Sequence, residues 1–172
     1  MALSLPYELF QGELAFPRGK KTIIDAELSA FCDSLTDLKK KGTLQLIDLE
    51  SLSADIAQGL YFHSTIPQGH GVGSSGALCA AIWHKYGKNP ASYSVVELKK
   101  IFGLIEGHFH GASSGIDPLI IYLNRPILIT ETRALQLVDI PFPLNRTGQG
   151  NIFLFNTKRA RRSEPLVYLF LE

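Results

Sequence analysis

The spacing of apolar positions divides the chain into short alternating stretches and longer helical stripes. Lys20 to Asp25 reads as a strand, and Leu28, Phe31, Leu35 and Leu38 then recur at helical spacing until Lys39-Lys40-Lys41-Gly42. A lysine run there suits the negative end of a helix dipole. Leu44 to Leu49 and Leu60 to Ile66 read as strands. The residues after Gly76 are small and apolar, predicting a buried helix from Ser74 to Tyr86 that stops at Gly87. Leu98, Ile101, Phe102, Ile105 and Phe109 mark one face of a helix from Ser94 to His110. Arg125-Pro126 opens a β segment through Thr130, and another lies near Leu135 to Ile140. Pro141 to Gly150 is turn-rich and is the best boundary candidate, followed by the strand-like Asn151 to Phe155. No internal repeat or low-complexity linker interrupts this order, which predicts an α/β or α+β domain.

Composition narrows the class. The 172 residues are 45% hydrophobic, enough for the core of one domain and the start of another. Lys plus Arg number 17 against 16 Asp plus Glu, a formal charge of +1 that argues against a polyanion-binding protein. Only Cys32 and Cys79 occur, so neither a disulfide framework nor a zinc site is expected, and a reducing, cytoplasmic setting fits. No basic segment precedes the first apolar residues and no apolar run reaches the roughly 18 residues of a membrane span.

The richest segment is Ile66-Pro67-Gln68-Gly69-His70-Gly71-Val72-Gly73-Ser74-Ser75-Gly76-Ala77, a glycine loop between a strand and a helix start. Glycines at alternate positions let backbone N–H groups approach a guest, and a helix N-terminus adds unpaired donors and partial positive charge. An anion is the expected guest. Ser74 and Ser75 fall at the cap position, and capping alone would account for one of them but not for Gly69, Gly71 and Gly73. Gly71-x-Gly73-x-x-Gly76 also meets the dinucleotide fingerprint, yet the acidic residue expected about 20 positions on, at the end of a second strand, is not there. No Gly-Lys-Ser/Thr follows, which excludes a Walker loop.

A second constellation runs Glu106-Gly107-His108-Phe109-His110-Gly111-Ala112-Ser113-Ser114-Gly115-Ile116-Asp117. Glu106 falls on the apolar face of its helix, where a carboxylate needs a Lys, Arg, His or metal partner; His110, one turn on, is one such partner. Asp117 precedes Pro118, which favours extended geometry and a capping role for a short helix starting at Pro118.

Together the two segments resemble the GHMP kinase family, most closely its mevalonate kinases. The family loop Pro-x-x-x-Gly-Leu-x-Ser-Ser-Ala is met from Pro67 to Gly76, with Val72 for Leu and Gly76 for Ala. The mevalonate kinase pattern Glu-x-x-x-His-Gly-x-x-Ser-Gly-x-Asp is met at Glu106, His110, Gly111, Ser114, Gly115 and Asp117. The resemblance implies an α+β fold of the ribosomal protein S5 domain 2 type and an ATP- and Mg²⁺-dependent kinase acting on a small-molecule hydroxyl, most closely mevalonate. It places Gly69, His70, Gly71, Val72, Gly73, Ser74, Ser75 and Gly76 around the ATP phosphates and Ser75 and Glu106 on Mg²⁺. Asp117 is implied as catalytic base, with His110, Ser114 and Gly115 beside the substrate. A weaker likeness, Asn156-Thr157-Lys158-Arg159-Ala160-Arg161-Arg162-Ser163, adds Arg161 to the catalytic set and Ser163 to the substrate set. A solvated basic turn is the plain alternative for that stretch.

On this reading residues 1–148 are the family's N-terminal domain without its first strand and loop, and residues 149–172 begin the C-terminal domain. The isolated chain is then expected to be inactive, and a homodimer is left open. Neither nucleic acid nor membrane is an expected partner. A nicotinamide-dependent oxidoreductase and a non-catalytic nucleotide-binding module are the competing classes.

Overall fold

The computed structural model describes residues 12–18, 23–132 and 134–139. Along them run β1 (Gly12–Ala15), α1 (Ala26–Lys40), α2 (Leu49–Ala57), β2 (Tyr61–Ser64), α3 (Ser74–Tyr86), α4 (Val95–His110), α5 (Ile116–Leu123), β3 (Ile127–Ile129) and β4 (Leu135–Leu137). This is a mixed α+β arrangement, as expected. β1 and β2 pair antiparallel with Gly12 opposite Ser64 and Ala15 opposite Tyr61, and β3 and β4 form an antiparallel hairpin with Ile129 opposite Leu135.

Helix starts follow local chemistry. Asp25 accepts hydrogen bonds from the amides of Glu27 and Leu28, opening α1, and Asp48 accepts from Ser51 N at 3.2 Å, opening α2. Ser94 and Glu97 form a reciprocal capping box at α4, and the Ser94 hydroxyl and amide hold the Glu97 carboxyl below its usual range. The lysines at the end of α1 sit where the helix dipole favours them.

Several expectations are corrected. Ile23 to Asp25 is not strand but the lead into the α1 cap, while residues 20–22 lie outside the described set. Leu44 to Leu49 is not a strand: its only pairing is an isolated bridge from Ile47 to Gly87, and Asp48 then turns the chain into α2. Neither α2 nor β1 was anticipated. The Pro141 to Gly150 boundary, the Asn151 to Phe155 strand and the domain start at 149–172 lie outside the described residues.

The core is built by one face of each of the first four helices. Phe31 and Leu35 of α1, Leu52 of α2, Ile82 and Trp83 of α3, and Phe102 and Ile105 of α4 are fully enclosed, with Leu119 of α5. Trp83 stands edge-on to both Tyr93 and Phe102, and its Nε1–H has no hydrogen-bond acceptor among the described residues. α3 lies centrally, touching β1 and the other helices α2, α4 and α5, so whatever α3 presents at its N-terminus rests on a rigid base. No helix among the described residues is long and apolar enough to cross a membrane.

Candidate functional site

The glycine loop delivers the chain from β2 to α3. Gly69, Gly71 and Gly73 have φ of 73°, 70° and 83°, while the intervening His70 and Val72 keep negative φ. Alternation of left-handed and right-handed backbone is the kind of conformation in which successive amides make a nest for an anion, and β-carbons would oppose it at the glycines. A Cβ on Gly71 would meet nothing within 4 Å, so its glycine serves backbone conformation rather than space. The cap expectation is corrected here: Gly73, not a serine, occupies the N-cap of α3, and it makes no side-chain cap. Ser74 and Ser75 are the first two helical residues. The His70 ring binds back to Gln68 O at 2.8 Å, folding over the turn.

Ser75 reaches the second constellation directly. Its Oγ donates to Glu106 Oε1 at 3.2 Å and lies 3.1 Å from His110 Nε2. A hydroxyl has one proton, so with that proton on Glu106 the imidazole donates from Nε2 to Ser75 Oγ. Glu106 is only 4% exposed. Its second oxygen, Oε2, accepts from Ser113 Oγ at 2.5 Å. The expected cationic partner is therefore corrected: hydroxyls, not a Lys, Arg or His, satisfy this buried carboxylate among the described residues. His110 acts one atom away, through Ser75. The nearby Cys79 thiol is pushed up by burial and then by the Glu106 charge, making it an inert core group.

Asp117 comes to the same end of the molecule by packing. It lies in the first turn of α5, where the helix dipole favours a carboxylate, and not in the extended geometry expected before Pro118. It is exposed and has no hydrogen-bond or ion-pair partner among the described residues. α5 presses on α3 at Gly76, where a Cβ would come 3.1 Å from Pro118 N and 3.3 Å from the Asp117 carbonyl carbon. Glycine at position 76 thus lets the backbone of Asp117 and Pro118 pack closely on the first turn of α3. Gly115, the N-cap of α5, has φ of 72°, and a Cβ there would lie 2.1 Å from Lys99 O. Ser114 Oγ accepts from Ile116 N at 3.3 Å. Gly115 therefore acts through shape, and Ser114 braces the turn. Arg161 and Ser163 lie outside the described residues.

Sequence reasoning missed Ser113. Its only signal is a serine between Glu106 and Asp117, and the adjacent Ser114 carries the same signal.

The donor set suits Mg²⁺, which takes hard oxygens and leaves much of its shell to water and phosphate. Adjacent ligands of an octahedral ion with bonds of roughly 2.0–2.1 Å lie about 2.9 Å apart, close to the 3.2 Å between Ser75 Oγ and Glu106 Oε1. Among the described residues no group of three or more His, Cys, Asp or Glu could hold a metal unaided. Beside the turn a cavity of about 670 Å³ is lined by the apolar Ile66, Val72 and Ile121 and also by Glu13, His84 and Lys85, so its wall is mixed in character.

The oxidoreductase alternative loses its frame, because a dinucleotide fold needs a parallel βαβ unit and the described strands pair only antiparallel. No curated protein and no solved structure matches the chain. The family model of the GHMP kinases N terminal domain matches residues 38–125, just over half of the chain. That span covers the glycine turn, Glu106 and Asp117, and the chain accordingly belongs to the GHMP kinases, a family of ATP-dependent small-molecule kinases.

Proposed function

We propose that this chain carries the phosphate- and cation-handling half of a mevalonate kinase-like enzyme. The observation that carries the reading is the buried Glu106 carboxylate hydrogen-bonded to Ser75 at the foot of the glycine turn. The turn amides of residues 69–76 bind the ATP phosphates, with the positive end of α3 behind them. Ser75 and Glu106 are the residues that would hold Mg²⁺, which when bound neutralises phosphate charge.

Asp117 accepts the proton of the acceptor hydroxyl as its oxygen bonds to the γ-phosphorus and the bond to ADP breaks. Its exposure supports this role, since a base needs access to its proton. His110 keeps the Ser75 oxygen oriented, and His110 and Ser114 border the acceptor. The weaker likeness from Asn156 to Ser163 makes Arg161 and Ser163 the candidates for the anionic end of the acceptor site.

Mevalonate is the favoured acceptor because the residues from Glu106 to Asp117 follow the mevalonate kinase pattern throughout. Phosphate transfer from labelled ATP by a full-length form, compared across mevalonate, phosphomevalonate, galactose and homoserine, tests this. The expected result is Mg²⁺-dependent transfer with mevalonate preferred. Preference for galactose or homoserine removes the substrate assignment, and absence of transfer to any of them removes the kinase reading.

A further inference from the structure

We propose that Ser113 is a positioning residue that couples the Glu106 carboxylate to the helix bearing Asp117, so that the acid at the cation end and the acid at the acceptor end keep one relative placement. The roles of the two acids rest on the functional reading above; the coupling itself rests on geometry. Ser113 Oγ donates to Glu106 Oε2 at 2.5 Å and accepts from Gly115 N at 3.0 Å. One hydroxyl does both because it offers a proton and lone pairs together. Gly115 is the N-cap of α5, two residues before Asp117. A bonded path therefore runs from His110 through Ser75, Glu106 and Ser113 to the start of that helix.

The backbone around the path is tightly seated. A Cβ on Gly103 would lie 3.0 Å from Ser113 O, and one on Gly115 would lie 2.5 Å from Gly103 N. The turn thus rests on α4 through glycines at both faces, and the Ser113 hydroxyl is the side-chain link that ties it to Glu106. Ser114 serves Ile116 N instead and does not bond Glu106. Each Glu106 oxygen thus accepts one hydroxyl, Oε1 from Ser75 and Oε2 from Ser113, which fixes the plane of the carboxylate.

Amide hydrogen exchange of the 172-residue chain tests the coupling, using Ser113→Ala, Ser113→Thr, Glu106→Ala, Glu106→Gln and the double alanine variant. Glu106 makes no bond to the amides of residues 115–119, yet Glu106→Ala is expected to speed their exchange about five- to tenfold relative to α1 amides. Ser113→Ala should match it, and the double variant should be no faster than either, the non-additivity of a shared link. Glu106→Gln, which keeps the side-chain shape and one acceptor oxygen, and Ser113→Thr, which keeps the hydroxyl, should stay within about twofold of the parent. Acceleration by Ser113→Ala alone, with Glu106→Ala and Glu106→Gln silent, would show a serine that only braces its turn and would overturn the proposal.

In a full-length form, Ser113→Ala should raise the Mg²⁺ concentration for half-maximal transfer about five- to tenfold, with Ser113→Thr restoring it. An unchanged Mg²⁺ dependence overturns the coupling while leaving the kinase reading intact. A parent protein that transfers no phosphate sinks the kinase reading instead, and the exchange comparison still decides the link.

Discussion

Asp117 and Glu106 illustrate how one functional group, the carboxylate, takes two environments. Asp117 is exposed and unpaired among the described residues, and on its proposed role as general base Asp117→Asn should cost about 10²–10⁴-fold in kcat. The same change should alter stability by no more than about 1 kcal/mol, the scale of a helix-dipole term. Steady-state kinetics beside thermal unfolding reads both. Glu106→Gln keeps the shape but removes the buried charge; the expected outcome is a raised Mg²⁺ requirement in a titration at fixed ATP, with folding retained. The burial of Glu106 was legible because residue 106 lies four after Phe102 and three before Phe109, on the apolar face of the helix. Its partners were not legible, because hydroxyls from residues 75 and 113 reach it only after the tertiary fold forms.

Among the elements, α3 and α4 were readable in advance. Each is longer than a dozen residues, with small or apolar positions in register and a clear stop or cap. α2 escaped because nine residues give little periodicity, and the apolar run before it alternates like a strand. β1 escaped because a four-residue strand is defined by its distant partner β2, which local pattern does not encode. The docking of α5 yields a sharp expectation. Gly115→Ala places a methyl group at positive φ and against Lys99 O and Gly103 N. The left-handed penalty of roughly 1–2 kcal/mol adds to an overpacking cost of roughly 1–3 kcal/mol. Urea denaturation should show a loss of about 3 kcal/mol. By contrast, Ser94→Ala removes only a capping box, and about 1 kcal/mol is expected.

Across the whole molecule, one charged cluster fastens α2 to α3. Asp55 accepts from the Tyr86 hydroxyl at 2.7 Å and from Lys85 Nζ at 2.9 Å. The Tyr86 bond first, and Lys85 second, hold the Asp55 carboxyl below its usual range. Stability from this group is therefore full above the ordinary carboxylate range near about pH 4 and is lost as pH falls through the lowered value. Burial, and then the Asp55 bond, push the Tyr86 phenol above its ordinary value. That contribution is full below about pH 10 and is lost as pH rises through the raised value. Stability measured by unfolding from pH 2 to 11 should accordingly fall at both extremes. Asp55→Asn should flatten the acid limb, and Tyr86→Phe the alkaline one. The order of predicted strands and helices foretold a mixed domain, but this cross-link joins residues 30 and 31 positions apart that no local pattern relates.

The enclosed indole of Trp83 gives the protein a native optical reporter. It is the sole tryptophan, it is shut away from water, and its ring nitrogen finds no acceptor among the described residues. Its fluorescence should emit at short wavelength in the folded state and move to the red as solvent enters. Because it sits on the helix whose opposite end meets the glycine turn, its colour registers whether the platform beneath that turn is intact without any label being attached.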